Sequence, residues 1–331
     1  MIIKGTGQEK LDVVCLGRAG MDLYAIEEEC DFTEVTRFRK SVGGSPANIA
    51  VGLARLGSKA GFIGKISRDK VGEYVRGFLG KEGVDVSGIS YAGGEARTSL
   101  ALTETKAEDT FVILYRNGAA DLMLAPEDIP AEMIKNSRSL LVSGTAFSAS
   151  PSREASFRAV EIARAAGKTV ILDLDYRPYS WKSEEDAAGT YEKVTASTDI
   201  LIGNKEEFAL LRRTSPDEDP AVVAAAYAHC GLVIVKDGAR GSRVFFNGED
   251  HRVPAFRVKA KKPFGAGDAF AAALIHRLLI SSADPDVVQA VREGSAAAAL
   301  VVSRFGCAES MPDAEEIKDF IHRQTKSINA K

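Results

Sequence analysis

The stretch that decides the fold is Pro263–Phe270, which reads PFGAGDAF. Gly265, Ala266 and Gly267 lead into an apolar helical stretch, and Asp268 lies in its first turn. The unpaired N–H groups of a helix start attract anions, and flanking glycines let the backbone approach a phosphate closely. A carboxylate there suits phosphoryl transfer, which needs a base for the attacking hydroxyl. Taken alone, the pattern is equally typical of a glycine-rich turn whose aspartate caps a helix.

The length of the chain is compatible with one large α/β unit, and its composition excludes several classes of protein. The chain has 331 residues, of which 45 % are hydrophobic, and a net charge of −3 without a long basic tract. We therefore expect no nucleic-acid partner. No run approaches the ~18 apolar residues of a membrane helix, so no membrane partner is expected either. The start of the chain lacks a signal-peptide pattern, and the four cysteines lack metal-ligand spacing, which favours a cytoplasmic protein with free thiols.

Short apolar runs alternate with helical patterns along the chain. Five runs predict strands buried on both faces: Leu11–Leu16, Ser139–Val142, Thr169–Leu174, Asp199–Ile202 and Leu232–Val235. Helices are expected to start at Ser45–Pro46 and Ser150–Pro151, with proline in the first helical position. The alternation predicts a mostly parallel sheet covered on both sides, with ligands at the carboxyl ends of the strands.

Two segments, at about 22–42 and 93–115, interrupt this alternation with strand-like patterns. Together they predict a small β-strand lid over the strand ends, although two surface hairpins without function would give the same pattern. We therefore expect one domain over residues 1–325 with the lid segments inserted, followed by a frayed tail over 326–331.

A second glycine motif lies in Ser41–Gly57, SVGGSPANIAVGLARLG, where Gly43 and Gly44 precede a helix that carries Asn48. The sequence contains no GxxxxGK[ST] motif, and no GxGxxG follows a strand, which disfavours P-loop kinases and Rossmann dehydrogenases. Together with PFGAGDAF, the motif resembles the two signature stretches of the ribokinase-like (PfkB) carbohydrate kinases. The resemblance covers about residues 10 to 320. It implies a three-layer α/β/α fold with a β-strand lid and ATP-dependent phosphorylation of a sugar.

The resemblance also implies roles for individual residues. Asp22 and Asn48 match the positions that bind sugar hydroxyls, a task suited to a carboxylate and an amide, beside Gly43 and Gly44. Asp268 matches the general base. The backbone amides of Gly265, Ala266, Gly267 and Asp268 match the anion hole for the transferred phosphoryl group.

On the nucleotide side, Asn204 and Glu207 in GNKEEF resemble the family's NxxE motif, which implies Mg²⁺ bound with ATP through phosphate or water. Without the family, the same residues predict a helix start with acids in its first turn. Lys236, Gly238 and Gly241 resemble the family's nucleotide-side glycine turn, and Gly265 and Gly267 are further expected nucleotide contacts. Lys262 stands where many relatives have an acidic residue. Its side chain either contacts a nucleotide phosphate or is solvated. Because the acidic residue is missing, the lysine argues against a monovalent-cation site like that of those relatives in this chain.

Two arginines indicate an acidic sugar. Arg116 follows Tyr115 at the end of a lid strand, and Arg177 follows a strand of the main sheet. Arginine binds carboxylates in planar, bidentate pairs, and a neutral sugar would leave the charge uncompensated. Tyr115 and Thr145 are further expected sugar contacts. The alternative is that each arginine pairs with a nearby aspartate, the candidates being Asp121, Asp173 and Asp175.

Longer strings, among them GRAGMDLYA, LYRNGAADL and LDYRPYSW, are similar to the 5-dehydro-2-deoxygluconokinase group of the family. This similarity implies transfer of a phosphoryl group from ATP to the C6 hydroxyl of 5-dehydro-2-deoxy-D-gluconate, with the arginines at the C1 carboxylate. A 2-keto-3-deoxygluconate kinase needs the same arginines and stays open, as does another sugar kinase. A non-catalytic sugar-binding protein would not need Asp268. The exposed strand edges of a lid also suggest a homodimer.

Overall fold

The alternation of strands and helices is present in the computed structural model, which describes residues 2–3, 5, 8–106, 109–261, 264–281 and 285–329. Within these residues the strands are β1 (Leu11–Leu16), β2 (Gly20–Glu28), β3 (Phe38–Gly43), β4 (Ala60–Ile66), β5 (Asp85–Tyr91), β6 (Leu100–Thr105), β7 (Val112–Tyr115), β8 (Ser137–Ser143), β9 (Thr169–Asp173), β10 (Ile200–Asn204), β11 (Leu232–Lys236), β12 (Ser242–Phe246) and β13 (Glu249–Val253). The helices are α1 (Ser45–Arg55), α2 (Lys70–Lys81), α3 (Ala131–Lys135), α4 (Ser152–Ala165), α5 (Glu184–Thr195), α6 (Lys205–Arg212), α7 (Pro220–Ala225), α8 (Ala266–Ile280), α9 (Val287–Val302) and α10 (Ala314–Asn329).

Nine strands form the main sheet in the order β13-β12-β11-β10-β9-β8-β1-β4-β5. Pairing is parallel from β11 to β5, and the hairpin β12–β13 adds an antiparallel edge. The predicted three-layer fold with a mostly parallel sheet is confirmed. All five predicted buried strands are present; Leu11–Leu16 has the predicted bounds, and the ends of the other four differ by at most two residues.

Both faces of the main sheet are buried because successive side chains of a strand point to opposite sides. In β1, Val13 and Cys15 belong to one apolar cluster, which includes residues of α1, α8 and α9. Val14 and Leu16 belong to a second cluster on the other face, which includes residues of α4 and α5. This double burial explains why the strands read as continuous apolar runs.

The lid segments form a separate four-stranded sheet in the order β3-β2-β6-β7. The pairs β2–β3 and β6–β7 are antiparallel, as expected, whereas β2 and β6 are parallel. β2 follows β1 closely along the chain but belongs to the lid sheet. β3 ends at Gly43, and α1 begins at Ser45. The lid therefore lies at the carboxyl end of β1, where it carries Asp22 toward the strand ends.

Two helix starts differ from the sequence expectation. α1 is preceded by Gly44 and begins at Ser45, which puts Pro46 in the second helical position, and α4 begins at Ser152 after Pro151. Proline tolerates these places because the first N–H groups of a helix have no intrahelical acceptor. α10 continues to Asn329, into the segment for which a frayed tail was expected; residues 330–331 lie outside the described part. None of the helices described here has the length and apolar content that a membrane span requires.

Candidate active site

A cavity of about 410 Å³ opens at the carboxyl ends of the main-sheet strands, beneath the lid. Its wall combines residues from β2, α1, the loops after β8 and β9, the ends of β10 and β11, and the start of α8. Most of the residues singled out in the sequence lie on this wall: Asp22, Gly44, Asn48, Arg116, Thr145, Arg177, Asn204, Glu207, Lys236, Gly265, Ala266, Gly267 and Asp268. We call this space the sugar cavity.

Asp268 lies in the first turn of α8, and Gly265 caps that helix in the left-handed conformation, with φ at +81°. Asn48 Nδ2 donates a hydrogen bond of 2.7 Å to Asp268 Oδ2, although 220 residues separate the two along the chain. Burial, and then the nearby charge of Asp175, raise the pKa of Asp268 above its usual range. A carboxyl with a raised pKa beside a helix N-terminus is suited to accept a proton.

The side-chain carboxylate of Asp22 packs against the backbone of Gly43, the last residue of β3. A Cβ on Gly43 would overlap both carboxylate oxygens of Asp22, so glycine is the residue that leaves room for this carboxylate. Arg18 lies 3.9 Å from Asp22, and burial raises the Asp22 pKa. Asp22 Oδ1 and Asn48 Oδ1 are buried and have no hydrogen-bond partner among the described residues. Two such oxygens at one cavity are ready acceptors for hydroxyl groups.

A second cavity of about 840 Å³ adjoins the first and shares Lys236, Ala266 and Gly267 with it. We call it the outer cavity. The predicted nucleotide-side glycines, Gly238 and Gly241, both line it, and apolar side chains including Phe256, Val258 and Phe270 form much of the remaining wall. An apolar slot next to a glycine-rich helix start matches a nucleotide, whose base is flat and apolar and whose phosphates are anionic.

Lys236 ends β11 at the junction of the two cavities. Its ammonium lies 3.5 Å from Asp173 Oδ1. Burial alone would lower the Lys236 pKa, but the surrounding carboxylates, Asp173 first, raise it. Conversely, burial raises the pKa of Asp173 to about 7, with further contributions from Glu207 and Asp175. At the junction, the Lys236 ammonium therefore lies among several acids.

Asn204 and Glu207 cap α6 reciprocally. Asn204 Oδ1 accepts from the Glu207 amide at 2.8 Å, and Glu207 Oε2 accepts from the Asn204 amide at 2.7 Å. This capping box is the helix-start alternative raised by the sequence. No group of three acidic, histidine or cysteine side chains in the described part of the chain converges on one metal position. The donor set instead fits a hard divalent cation held through water and phosphate, which would relieve the crowded negative charge around Asp173.

Both predicted arginines line the sugar cavity, and both pair with an aspartate. Arg116 Nη2 lies 2.7 Å from Asp121 Oδ2 and also donates to the Thr145 carbonyl at 3.1 Å. Arg177 Nη2 lies 2.7 Å from Asp175 Oδ1. The guanidinium of Arg116 is buried, whereas about half of the Arg177 side chain is exposed. The aspartate pairing considered in the sequence is therefore present, and it coexists with a position at the cavity.

Two predicted contacts lie off the cavity wall, and a third lies on the wall with its hydroxyl already bonded within the protein. Tyr115 is 59 % exposed and absent from the wall, because strand alternation turns Val112, Leu114 and Arg116 toward the cavity and Tyr115 away. The Thr145 hydroxyl is engaged within the protein, with Ser143 and Asp175. Gly43 lies beneath Asp22 rather than on the wall. Lys262 lies outside the described residues.

Sequence reasoning assigned no ligand contact to several other wall residues: Arg18, Tyr24, Tyr179, Ser180, Phe264 and Cys307. Asp173 and Asp175 also lie on the wall, and the sequence analysis considered them as possible arginine partners. The end of β9 provided a signal for the two aspartates, since polar residues after a buried strand face the ligand edge. Cys307 has no comparable signal. It reaches the cavity through tertiary packing, with its Sγ 2.8 Å from the Tyr24 hydroxyl.

The chain was compared with known proteins. The profile of the pfkB family carbohydrate kinases matches residues 10–314. A Photobacterium profundum protein named 5-dehydro-2-deoxygluconokinase is 43 % identical over 323 residues, which cover 96 % of this chain and 97 % of that protein. A Bacillus subtilis protein of the same name is 40 % identical over 321 residues, with coverages of 96 % and 98 %.

Among solved structures, an E. coli protein described as a ribokinase II, in complex with ATP and Mg²⁺, is similar to this chain. The TM-score is 0.84 at 26 % identity, and the match covers 95 % of this chain and 99 % of that one. The resemblance seen in the two glycine motifs is thus confirmed. Since the family profile spans most of the sequence and these relatives align along nearly all of it, the chain belongs to the pfkB family of carbohydrate kinases.

Proposed function

We propose that this kinase transfers the γ-phosphoryl group of ATP to the C6 hydroxyl of 5-dehydro-2-deoxy-D-gluconate, giving the 6-phosphate and ADP. The observation that supports a kinase reaction is that the sugar cavity and the outer cavity meet at Lys236, Ala266 and Gly267, next to Asp268. A sugar in one cavity and a nucleotide in the other would meet at this junction. The choice of sugar acid is supported by the names of the relatives and by the two arginines on the wall.

The sugar is held by its hydroxyl groups. The buried oxygens Asp22 Oδ1 and Asn48 Oδ1, which have no hydrogen-bond partner among the described residues, accept hydrogen bonds from it, and Arg18 lies 3.9 Å from Asp22 Oδ1. Arg177 and Arg116, both on the cavity wall, face the C1 carboxylate. Binding at both ends of a short, flexible acid fixes the position of C6 and so converts binding energy into orientation.

Asp268 is the general base. It removes the proton from the C6 hydroxyl as the oxygen attacks the γ-phosphorus, and the hydrogen bond from Asn48 orients its carboxylate. The backbone N–H groups at the start of α8, from Gly265 onward, bind the charge that develops on the transferred group. Lys236, at the junction and close to Gly267, binds the same phosphate oxygens.

Mg²⁺ bound with ATP would supply charge neutralisation of the nucleotide phosphates. Glu207 and Asn204 would hold it through water and phosphate, and Asp173 adds a further acidic oxygen close by. Both oxygens of Glu207 already accept backbone hydrogen bonds, at 2.7 Å from Asn204 and 3.0 Å from Tyr176. This arrangement fixes the carboxylate orientation and favours a contact through water over direct ligation.

The protein acts in the cytoplasm, because the described cysteines are all free thiols, as in a reducing compartment. It forms a homodimer through the lid. β7 is an edge strand of that sheet; Phe111 just before it and Tyr115 at its end are 58 % and 59 % exposed. Sedimentation equilibrium tests the dimer: Phe111→Ser should shift the mass to that of a monomer, and a monomeric wild type would refute this interface.

The test of function is ADP release with Mg·ATP and four substrates: 5-dehydro-2-deoxygluconate, 2-keto-3-deoxygluconate, ribose and fructose. We expect kcat/KM to favour the first by more than about tenfold, which corresponds to ~1.4 kcal/mol of transition-state binding. A preference for 2-keto-3-deoxygluconate would agree with a carboxylate bound by the arginines but would identify a different sugar acid as the substrate. A preference for fructose or ribose would refute the acid-binding role of both arginines while leaving Asp268 as the base.

A further inference from the structure

Asp175, two residues after β9, has an unusual backbone. Its φ is +36°, in the left-handed region that non-glycine residues seldom adopt. The neighbouring peptide groups are held on both sides: the Leu174 carbonyl accepts from the Tyr191 hydroxyl at 2.8 Å, and the Tyr176 amide donates to Glu207 at 3.0 Å. A strained conformation that its surroundings fix in this way is typical of a functional position.

This conformation turns the Asp175 carboxylate into the wall of the sugar cavity, where it is buried. Its two oxygens have separate partners. Oδ2 accepts from the Ser143 hydroxyl at 2.9 Å and from the Thr145 hydroxyl at 3.2 Å, which ties the carboxylate to the loop after β8. Oδ1 faces Arg177 Nη2 at 2.7 Å. One oxygen therefore fixes Asp175 to the scaffold, and the other fixes Arg177.

The two arginines of the cavity differ in how they are held. Arg116 is buried and bonded to Asp121, to the Thr145 carbonyl and, at 3.3 to 3.4 Å, to the hydroxyls of Ser180 and Ser148. Arg177 is half exposed, and within the described part of the chain its one carboxylate partner is Asp175. A guanidinium has five N–H donors, so one edge can bind Asp175 while the rest faces a ligand.

We propose that Asp175 is a positioning residue that holds the Arg177 guanidinium at the sugar cavity and thereby sets the preference for a sugar acid over a neutral sugar. The inference rests on the proposed function, because it needs a substrate carboxylate opposite Arg177. A long, half-exposed arginine loses rotamer freedom when it binds a carboxylate. The pair with Asp175 removes that cost beforehand, since the side chain is already ordered when the substrate arrives.

A double-mutant cycle tests this inference. The dissociation constant for 5-dehydro-2-deoxygluconate is measured calorimetrically, without ATP, for the wild type, Asp175→Gly, Arg177→Ala and the double variant. Glycine is the replacement because it accepts a φ of +36° without strain. We expect each single change to weaken binding about tenfold or more, and the double variant to match Arg177→Ala within about twofold, as for residues that act as a unit. Multiplicative effects would overturn the inference.

Two further variants separate positioning from folding. Asp175→Asn keeps an acceptor for Arg177 and tolerates a positive φ, so we expect binding within about threefold of the wild type. Ser143→Ala removes one tie to Asp175 Oδ2 and should weaken binding about threefold, but only while Arg177 is present. A matched control is Asp199→Ala, which breaks the 2.8 Å pair with Arg164 at the other end of the sheet and should leave binding unchanged. If Asp175→Gly does not fold, equal losses for Ser143→Ala with and without Arg177 would overturn the inference.

The same variants are assayed with fructose, which has no carboxylate. We expect Asp175→Gly to lower kcat/KM for the acid about tenfold more than kcat/KM for fructose, because any effect of the lost charge on Asp268 acts on both substrates and cancels in the ratio. A wild type that prefers fructose would refute the proposed function and this inference with it. A wild type that prefers the acid, combined with equal losses on both substrates in Asp175→Gly, would refute only the role of Asp175.

Discussion

The contact between Gly43 and Asp22 allows a single methyl group to test the sugar cavity. In Gly43→Ala, the new Cβ would overlap both oxygens and the carboxyl carbon of Asp22, far inside the 3.0 Å that real Cβ contacts keep. The nearest atoms all belong to Asp22, so relief of the overlap requires the carboxylate to leave its buried position. The oxygen expected to bind the sugar hydroxyl then points elsewhere.

The size of the effect follows from the bonds that are lost. A hydrogen bond to a charged group contributes ~1.5–3 kcal/mol, so loss of one such bond raises KM for the sugar acid by about 10- to 10²-fold. KM for ATP should stay within about threefold, because the outer cavity is lined by other residues. Steady-state kinetics with one substrate varied at a time separates the two constants.

Two controls make the result specific to Asp22. Gly77→Ala is the same substitution inside α2, where a new Cβ meets no atom within 4 Å. It should leave both KM values unchanged and stabilise the fold by roughly 0.5–1 kcal/mol, because alanine favours a helix over glycine. In an Asp22→Ala background, Gly43→Ala should raise KM no further. A wild-type KM for the sugar acid in Gly43→Ala would refute the placement of Asp22 at the substrate.

The remaining predictions concern the base, its ionisation and the junction. Asp268→Asn should lower kcat by at least about 10²-fold with ATP binding preserved, and wild-type turnover would exclude the general-base role. Burial raises the pKa of Asp268, and only the deprotonated carboxylate accepts a proton. In a plot of kcat/KM against pH, activity should therefore fall toward low pH with an apparent pKa above that of an ordinary aspartate. An apparent pKa at the ordinary aspartate value would contradict this. Because the pKa of Asp173 rises from 3.8 to about 7 on folding, the folded protein binds the extra proton, and stability falls as pH rises between these values. Asp173→Asn should therefore raise Tm more at about pH 8 than at about pH 4, and an equal change at both would refute it. Lys236→Met should raise KM for ATP and lower kcat, each about tenfold, and an unchanged kcat would remove Lys236 from the transferred phosphate.

Much of the site was accessible from the sequence because its residues lie in local motifs. Gly265–Asp268 form a helix start, and a helix start has the same unpaired amides wherever it lies in the fold. Asn204 and Lys236 come at the ends of buried strands, and the carboxyl ends of parallel strands meet at one edge of a sheet. For these residues, local pattern and final position coincide.

Tyr115 shows a limit of such reasoning. It precedes Arg116 directly, yet the two side chains leave β7 on opposite faces. A sequence pattern predicts the alternation, but not which face meets the cavity. That choice depends on the pairing of β7 with β6 and on how the lid sits over the main sheet.

The amino-acid sequence by itself determined the layered α/β fold, the two glycine motifs and the residue types that phosphoryl transfer needs. Only the tertiary structure decided which of these groups face each other. The hydrogen bond between Asn48 and Asp268 joins residues 220 positions apart, and the bond from the Ser143 hydroxyl to Asp175 joins residues 32 positions apart. The physical reason is the separation of the interacting residues along the chain. Helix starts and strand burial depend on neighbouring residues, whereas side-chain contacts between distant segments depend on how the elements pack.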